Sequence, residues 1–333
     1  MSGRPCGAPR STCLIVPSKV LRKLGDVDGA LASERLRGQR SAFAQMGIAL
    51  LGVPAGEKRR TIYDAGHGRR LPGKLLRGEG DAPLGDASGN AAYDSSGDTY
   101  EFYSQILKRN SVDGRGMRLD STVHYGERFN NAFWNGRQMV YGDGDGKLFT
   151  GFANALDVVA HELTHGVTQY VVPGGGLAYE GQSGALNESI SDVFGILVKQ
   201  WKLKQDVKAS SWLIGEGILG AEYGKALRSM KEPGSAWKED DQPGDMSGYV
   251  EDGDVHTNSG IPNHAFFVAA TELGGFAWER AGKIWYRALH MLQADATFKE
   301  AAQATIEAAM AAFGGGSKEQ MAVQKAWKQV KVL

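Results

Sequence analysis

The chain has 333 residues, of which 42% are hydrophobic and 23% are charged, a composition typical of a folded protein with a sizeable core. Its 38 basic residues balance its 38 acidic residues, so the formal net charge is zero. We therefore expect neither nucleic acid nor an anionic membrane as its main partner. No apolar stretch approaches the length of a transmembrane helix, and the early run at residues 13–16 is far shorter than the core of a secretory signal.

The beginning of the chain differs in composition from the rest. Residues 1–12 are rich in Gly, Pro and Arg, while residues 19–24 and 29–47 have helical spacing. Residues 52–60 combine Gly, Pro and charged side chains, as exposed linkers do. The composition therefore predicts a separate segment, residues 1–56, joined to the rest by a cleavable hinge.

The remaining chain passes from strand patterns to helical patterns. A turn-rich region is expected at residues 64–92 and a helix over 99–109. The predicted strands cover residues 61–64, 119–125, 131–134 and 138–142. The later helices are predicted at residues 155–171, 184–202, 262–274, 277–292, 298–312 and 318–330. A β-rich part, residues 57–154, followed by a helical part, residues 155–333, predicts an α+β fold with a cleft at the junction.

The pattern His161-Glu162-x-x-His165 lies in the first of these later helices. Residues i and i+4 share one face of a helix, so both imidazoles can reach one metal ion, and Glu162 can reach a water beside it. A hydrolytic zinc ion keeps three protein ligands, so a third ligand is required. The alternative is a buried helix that carries two histidines by chance.

Glu188 and Asp192 are again four residues apart, in a helix whose other faces are apolar. Buried carboxylates need partners, because an unpaired buried charge is costly. Zinc could satisfy Glu188, and the outer N–H of a ligating histidine could satisfy Asp192. A solvated helix face is the alternative. Further on, His256 lies among acidic residues, a pattern that by itself is more typical of a surface loop.

A glycine-rich loop carries Asp143 and Asp145 and invites comparison with a calcium-binding EF-hand loop. The twelfth position of such a loop needs a carboxylate, but Asn154 stands there, and Lys147 stands at the fifth. A turn that the glycines make possible is therefore the preferred interpretation.

Five ordered blocks, within residues 61–333, closely resemble the thermolysin family of zinc endopeptidases. The blocks are residues 130–136, 139–146, 161–168, 187–195 and 255–263. The resemblance implies a thermolysin-like two-domain α+β peptidase, with the active site between the β-rich and the helical domains. It also implies a monomeric, zinc-dependent neutral endopeptidase that cuts proteins or peptides on the amino side of bulky hydrophobic residues.

The resemblance assigns roles by position. The implied zinc ligands are His161, His165 and Glu188. Glu162 is the implied general base and proton shuttle, and the implied oxyanion donors are His256 and Tyr179. Three residues are expected behind them, of which the first is Asn187. Asp192 is expected to accept from His161, and Asp252 is expected to orient His256. The implied substrate-binding residues are Asn131, Ala132, Trp134, Phe149, Phe152, Val158, Leu227 and Arg228. A silent binding protein would be expected to lack Glu162 or His256, and a hydrolase of other substrates to lack Asn131 or Arg228.

Two departures from the family pattern lead to further expectations. Asp157 and Glu216 match positions of a double calcium site, but Lys199, Ser211 and Leu213 stand where other acids would be. We therefore expect calcium binding there to be reduced or absent, with Asp157 and Glu216 as a possible residual site.

The second departure is the short N-terminal segment, which is similar to that of the protealysin-like subgroup. The implied role of residues 1–56 is a self-inhibiting propeptide that is removed near residues 52–61. Cys13 could cap the zinc as a thiolate or could be an ordinary buried thiol. The family implies secretion; the alternative, without a visible signal peptide, is a cytoplasmic protein with non-classical export.

Overall fold

The computed structural model describes residues 14–43 and 57–333. The strands are β1 (Arg60–Asp64), β2 (Lys74–Arg77), β3 (Leu119–Val123), β4 (Ala132–Trp134), β5 (Met139–Tyr141), β6 (Leu213–Ile214) and β7 (Arg228–Ser229). The helices are α1 (Ser18–Lys23), α2 (Val27–Phe43), α3 (Ala87–Leu107), α4 (Leu156–Val171), α5 (Gly181–Leu203), α6 (Val255–Asn258), α7 (Gly260–Leu273), α8 (Ala281–Leu289), α9 (Phe298–Phe313) and α10 (Lys318–Gln329). Within these ranges, no helix has the length and apolar character that a membrane span requires.

The β-rich part is built on a five-stranded sheet with the order β2-β1-β3-β5-β4. The inner pairs β1/β3 and β3/β5 are parallel, whereas the outer pairs β1/β2 and β4/β5 are antiparallel. The carboxyl ends of β1, β3 and β5 therefore meet at one edge of the sheet. Helix α3 packs against β1 and β3 and also against α4, which joins this sheet to the helical part.

The prediction for residues 64–92 was wrong in part, because this region holds β2 and the start of α3. The beginning of α3 is rich in Gly, Ser and Asn, which have low helix propensity. The Asp86 side chain caps the helix by accepting from the Gly89 N–H at 3.0 Å. A Cβ at Gly97 would lie 2.3 Å from the guanidinium of Arg60, so this glycine serves close packing rather than a turn. Tertiary packing here outweighs local propensity.

The helical part is organised around α4 and α5, which run antiparallel and in close contact. Gly195 permits this approach, because a Cβ there would lie 2.6 Å from the carbonyl oxygen of Asp157. The helices predicted from residue 155 onward are confirmed, with ends shifted by a few residues. Large aromatic side chains fill the core beside them, among them Trp212, Phe266, Trp285 and Trp327.

The N-terminal segment has no regular secondary structure at residues 14–17 and continues into α1 and α2, two helices that the helical spacing predicted. Ile15, Val16 and Leu21 are fully buried and belong to the apolar cluster of the β-rich part. Cys13 and most of the predicted hinge lie outside the described residues. The boundaries proposed for the segment and the two domains, 1–56, 57–154 and 155–333, remain predictions.

Candidate active site

Three side chains from α4 and α5 form a buried cluster, which we call the catalytic cluster: His161, His165 and Glu188. The Nε2 atoms of the two histidines lie 3.0 Å apart, and the carboxylate of Glu188 lies 3.5 Å from one and 3.7 Å from the other. All three are at most 3% exposed. Two imidazoles and a carboxylate at this spacing are a donor set that fits tetrahedral zinc with one position left open.

The outer nitrogens of both histidines are held by polar groups of α5. His161 Nδ1 lies 2.8 Å from Asp192 Oδ1, and His165 Nδ1 lies 2.9 Å from Asn187 Oδ1 and 3.0 Å from Ser191 Oγ. Histidines that bind a metal generally donate their other N–H to such an acceptor. These contacts turn both Nε2 atoms toward the position that a metal ion would take.

Asp192 also connects the catalytic cluster to Arg228 and Asn263. Its two oxygens accept from Arg228 Nε and Nη2, both at 2.8 Å, and Asn263 Nδ2 donates at 2.9 Å. Burial opposes ionisation of Asp192, but Arg228 and His161 outweigh it and lower its pKa. The carboxylate therefore stays charged and fixes a metal ligand and Arg228 in one network.

Burial likewise opposes ionisation of Glu188. The neighbouring His256, His165 and His161 outweigh burial and lower the pKa of Glu188 to about 2. At neutral pH Glu188 is thus a carboxylate, the form that a metal ion requires.

Glu162 is fully buried beside the cluster, and its Oε2 accepts the backbone N–H of Trp134 at 3.0 Å. Trp134 contributes to the site through this N–H. Its indole is buried, and Nε1 lies 3.4 Å from Gln169 Oε1; the predicted role of Trp134 in substrate binding remains a prediction. Strand β4 therefore places the carboxylate of Glu162 through its backbone.

His256 and Tyr179 approach the cluster from the opposite side. Tyr179 donates to Glu188 through a short hydrogen bond, and its oxygen lies 3.3 Å from His256 Nε2. Asp252 was predicted to orient His256, but the structure corrects this assignment to Asp254. Asp254 Oδ1 lies 2.8 Å from His256 Nδ1 and accepts the His256 backbone N–H at 2.9 Å.

The physical reason for this correction is helix capping. Asp254 is the N-cap of α6, so its carboxylate already turns toward the next residues. Asp252 is exposed in the preceding turn, with φ 52°. An Asp two residues before His256 was the available signal, and it was missed.

The N-terminal segment crosses this site, and its carbonyl groups face the predicted functional residues. The Leu14 carbonyl accepts from His256 Nε2 at 3.1 Å. The next carbonyl, that of Ile15, accepts from Arg228 Nη1 at 3.1 Å. The segment thus covers His256 and the buried Arg228.

Strand β4 and the residue before it hold the other side of the segment. The Ile15 N–H donates to the Ala132 carbonyl at 3.3 Å. The Asn131 side chain accepts from the Val16 N–H at 3.0 Å and donates to the Val16 carbonyl at 2.9 Å. Residues 14–16 therefore pair with the groups that were expected to bind a substrate backbone.

The predicted pocket walls belong to the same apolar cluster as Ile15 and Val16. All of them are at most 6% exposed. These walls are Phe149, Phe152, Val158 and Leu227.

The comparisons with known proteins agree with this geometry. The family model for the thermolysin metallopeptidase catalytic domain matches residues 58–169, and the model for its alpha-helical domain matches residues 175–332. The chain belongs to the thermolysin family. The predicted family, the thermolysin-like α+β fold and the metallopeptidase class are thereby confirmed.

Several relatives in the thermolysin family resemble the chain over most of its length. An extracellular metalloprotease of Pectobacterium carotovorum is 49% identical, with 84% of this chain and 83% of that protein covered. Protease PrtS of a Photorhabdus strain is 46% identical, with 81% and 76% covered. The solved precursor of protealysin, a metalloproteinase from Serratia proteamaculans, is 45% identical, covers 96% of this chain and 100% of its own, and superposes with a TM-score of 0.86.

A second polar group lies between α4 and α5 behind the catalytic cluster, at the positions expected to bind calcium in this family. Lys199 Nζ lies 3.3 Å from Asp157 Oδ2 and 3.3 Å from Glu216 Oε2. Asp157 also accepts the Gly215 N–H at 2.9 Å, and Ser211 donates to Glu216 at 2.9 Å. Burial would lower the pKa of Lys199, but the two carboxylates raise it, so the ammonium stays charged.

Proposed function

We propose that the chain is a zinc-dependent endopeptidase that cuts on the amino side of bulky apolar residues and is made as a self-processing proenzyme. One observation carries this proposal. The backbone of residues 14–16 lies across the site and bonds His256, Arg228, Asn131 and Ala132 as a peptide substrate would.

The catalytic cluster is the site for the metal. Zinc, when bound by His161, His165 and Glu188, supplies a Lewis acid that polarises the scissile carbonyl and lowers the pKa of water. Glu162, positioned by the Trp134 N–H, takes the proton of the attacking water and passes it to the leaving amine.

His256 and Tyr179 stabilise the negative charge that develops on the carbonyl oxygen. His256 donates to the Leu14 oxygen, the Tyr179 hydroxyl lies 3.3 Å from His256 Nε2, and such donors act where charge appears in the transition state. His256 Nδ1 lies 2.8 Å from Asp254 Oδ1, so this carboxylate fixes the orientation of the ring.

The apolar pocket accounts for the proposed preference. Ile15 follows the carbonyl that faces His256, and it lies in the apolar cluster formed with Phe149, Phe152 and Leu227. A substrate would place the residue after its scissile bond in the same position. Burial of a large aliphatic or aromatic side chain there contributes about 1.5–3 kcal/mol.

The N-terminal segment acts as the inhibitor of the same molecule, because a peptide cannot enter while residues 14–16 hold the backbone-binding groups. Lys19 and Lys23 of the segment form ion pairs with Asp241, and these pairs strengthen the binding of the segment. The enzyme is a monomer that acts on proteins or peptides outside the cell. The printed name of the Pectobacterium relative, an extracellular metalloprotease, supports this location.

The ammonium of Lys199 takes the role that calcium has in other members, so no double calcium site is needed. Lys199 brings positive charge to Asp157 and Glu216 at 3.3 Å. Added calcium is therefore expected to leave thermal stability unchanged.

Hydrolysis of a furylacryloyl dipeptide amide by the processed protein tests the function. Glu162→Gln, from which an added serine protease removes the N-terminal segment, is expected to lower kcat by about 10²–10⁴-fold. Glu180→Gln, an exposed residue before α5, serves as the matched control and should leave it unchanged. Equal rates in the parent and in Glu162→Gln, or full activity after zinc is chelated, would contradict the proposal.

Electrophoresis of the freshly purified full chain tests self-processing. The parent is expected to shorten near residues 52–61, whereas Glu162→Gln stays intact. Shortening of purified Glu162→Gln at the same rate would show that another protease removes the segment.

A further inference from the structure

Three loops meet at the edge of the sheet where β1, β3 and β5 end, away from the catalytic cluster. They carry what we call the surface cluster: His67 in the turn after β1, His124 directly after β3, and Asp143 after β5. The parallel pairing of these strands brings the three residues together. The side chains of His67, His124 and Asp143 are 57%, 21% and 29% exposed, so the group is open to solvent.

The spacing of the surface cluster matches that of a metal site. His124 Nδ1 lies 2.8 and 2.9 Å from the two oxygens of Asp143, and His67 Nδ1 lies 3.5 Å from Asp143 Oδ2. Tetrahedral zinc, with bonds of about 2.0–2.2 Å, places neighbouring donor atoms about 3.3 Å apart. The distances in the catalytic cluster are similar, from 3.0 to 3.7 Å.

The outer nitrogen of His124 is held as in a metal site. His124 Nε2 lies 2.9 Å from Asp86 Oδ2, while the other oxygen of Asp86 caps α3 through the Gly89 N–H. Donation from Nε2–H to Asp86 leaves the lone pair of Nδ1 on the side of Asp143 and His67. His161 and Asp192 show the same arrangement in the catalytic cluster.

The backbone holds both histidines in place before any ligand binds. His67 and His124 have φ of 63° and 55°, in the left-handed region that few residues other than glycine adopt. The His67 N–H also donates to the His124 carbonyl at 2.9 Å. Such conformations persist only where the surrounding structure fixes them, and they are common at ligand sites.

We propose that His67, His124 and Asp143 form a second metal site, for a divalent transition ion such as zinc, with Asp86 orienting His124. Two imidazoles favour such an ion over calcium, which prefers oxygen ligands. Water from the open side completes the coordination. The ion fastens the three loops together and takes no part in peptide hydrolysis.

A proton on His124 is the competitor of the metal ion. Burial would lower the pKa of His124, but its hydrogen bonds to Asp86 and Asp143 outweigh burial and raise it. A protonated His124 would bridge the two carboxylates without any metal, so the two states are distinguished by counting bound ions.

Equilibrium dialysis of the full chain against buffered Zn²⁺ near pH 7.5 makes that count. The Glu162→Gln background prevents self-cleavage. We expect two zinc ions per chain in this parent, and one after His67→Ala, which removes an exposed side chain without disturbing the core. His290→Ala, an exposed histidine elsewhere, is the matched control and should keep two.

Asp86→Asn provides a graded test, because Asn still caps a helix but loses the charge. It is expected to lower the affinity for the second zinc ion by about 10- to 100-fold, as the loss of a hydrogen-bond partner of a ligating histidine generally does. One zinc ion in the parent at every zinc concentration up to saturation, or a second ion that persists in His67→Ala, would overturn the proposal.

Discussion

Helices α4 and α5 share one polar stripe. Its front end holds the catalytic cluster and its rear end holds Lys199, and the buried carboxylates at the two ends have different partners. At the front, Glu188 faces the imidazoles of His161 and His165. At the rear, Asp157 faces the ammonium of Lys199. The front leaves room and charge for a metal ion, whereas the rear carries its own cation. A carboxylate between two helices thus indicates a metal site only where the chain supplies no cation of its own.

Asp192 lies between the two ends, and its loss should have the largest effect. Asp192→Asn leaves the buried Arg228 without its bidentate partner, which typically costs about 3–5 kcal/mol of unfolding free energy. The substitution should also lower the zinc affinity by about 10- to 100-fold, because His161 loses the acceptor that orients it.

Urea unfolding and zinc dialysis of Asp192→Asn measure both effects. Asp245→Asn, which breaks an exposed pair with Lys331, is the control and should change stability by less than about 1 kcal/mol. If both variants behaved alike, the front end would not depend on this network.

Removal of the cation at the rear should have an intermediate effect. Lys199→Met keeps the aliphatic stem but leaves Asp157 without its partner, for a loss of about 1–3 kcal/mol, since the pair is partly open to water. Lys202→Met on the same helix breaks an exposed pair with Asp98 and should cost less than about 0.5 kcal/mol.

Calcium sharpens this comparison further. Lys199→Glu places a third acid beside Asp157 and Glu216, so its melting temperature should rise with added calcium while that of the parent does not. A parent that calcium stabilises would show that Lys199 does not replace the ion.

The smallest effect is expected at the edge of the cleft, where Lys19 binds Asp241 in an exposed pair. In a synthetic segment covering residues 14–36, Lys19→Ala should raise the inhibition constant against the processed enzyme by no more than about fivefold. Ile15→Asp, which puts a charge into the apolar pocket, should raise it far more. Equal effects of the two changes would contradict the substrate-like placement of residues 14–16.

The same pair predicts a pH dependence. Burial would raise the pKa of Asp241, but Lys19 and Lys23 lower it below its ordinary value. The contribution of the pair is therefore full above the ordinary Asp pKa and is lost as the pH falls through the lowered one. The Lys19→Ala segment, which keeps only Lys23 beside Asp241, should show less of this acid loss when inhibition is measured across pH 3–6, about the range around an ordinary Asp pKa.

The sequence predicts most of the residues at the front end, because their positions follow from helical periodicity. The spacings 161/165 and 188/192 place side chains on one helix face, and the two helices then meet at Gly195. Local pattern failed where tertiary contacts decide the geometry. Asp254 replaced Asp252 because of a helix cap, and β2 with the start of α3 was missed because glycines there serve packing.

The surface cluster shows more clearly that local sequence patterns cannot predict a site built from distant residues. His67 and His124 are 57 residues apart in the chain, and no local spacing connects them with Asp143. Only the parallel pairing of β1, β3 and β5 brings them to one edge. The aspartates of the glycine-rich loop invited comparison with a calcium-binding loop. In the structure Asp145 accepts backbone N–H groups of its own turn, and Asp143 bonds His124.

The metal content of the full-length chain tests the contrast between front and rear most directly. Elemental analysis would follow dialysis against calcium and a free zinc concentration low enough to load only the catalytic cluster. We expect one zinc ion and no calcium in Glu162→Gln, and neither metal in the Glu162→Gln, His165→Ala double variant. Zinc that persists without His165, or calcium that is retained until Asp157 is replaced by Asn, would contradict this assignment of the two ends.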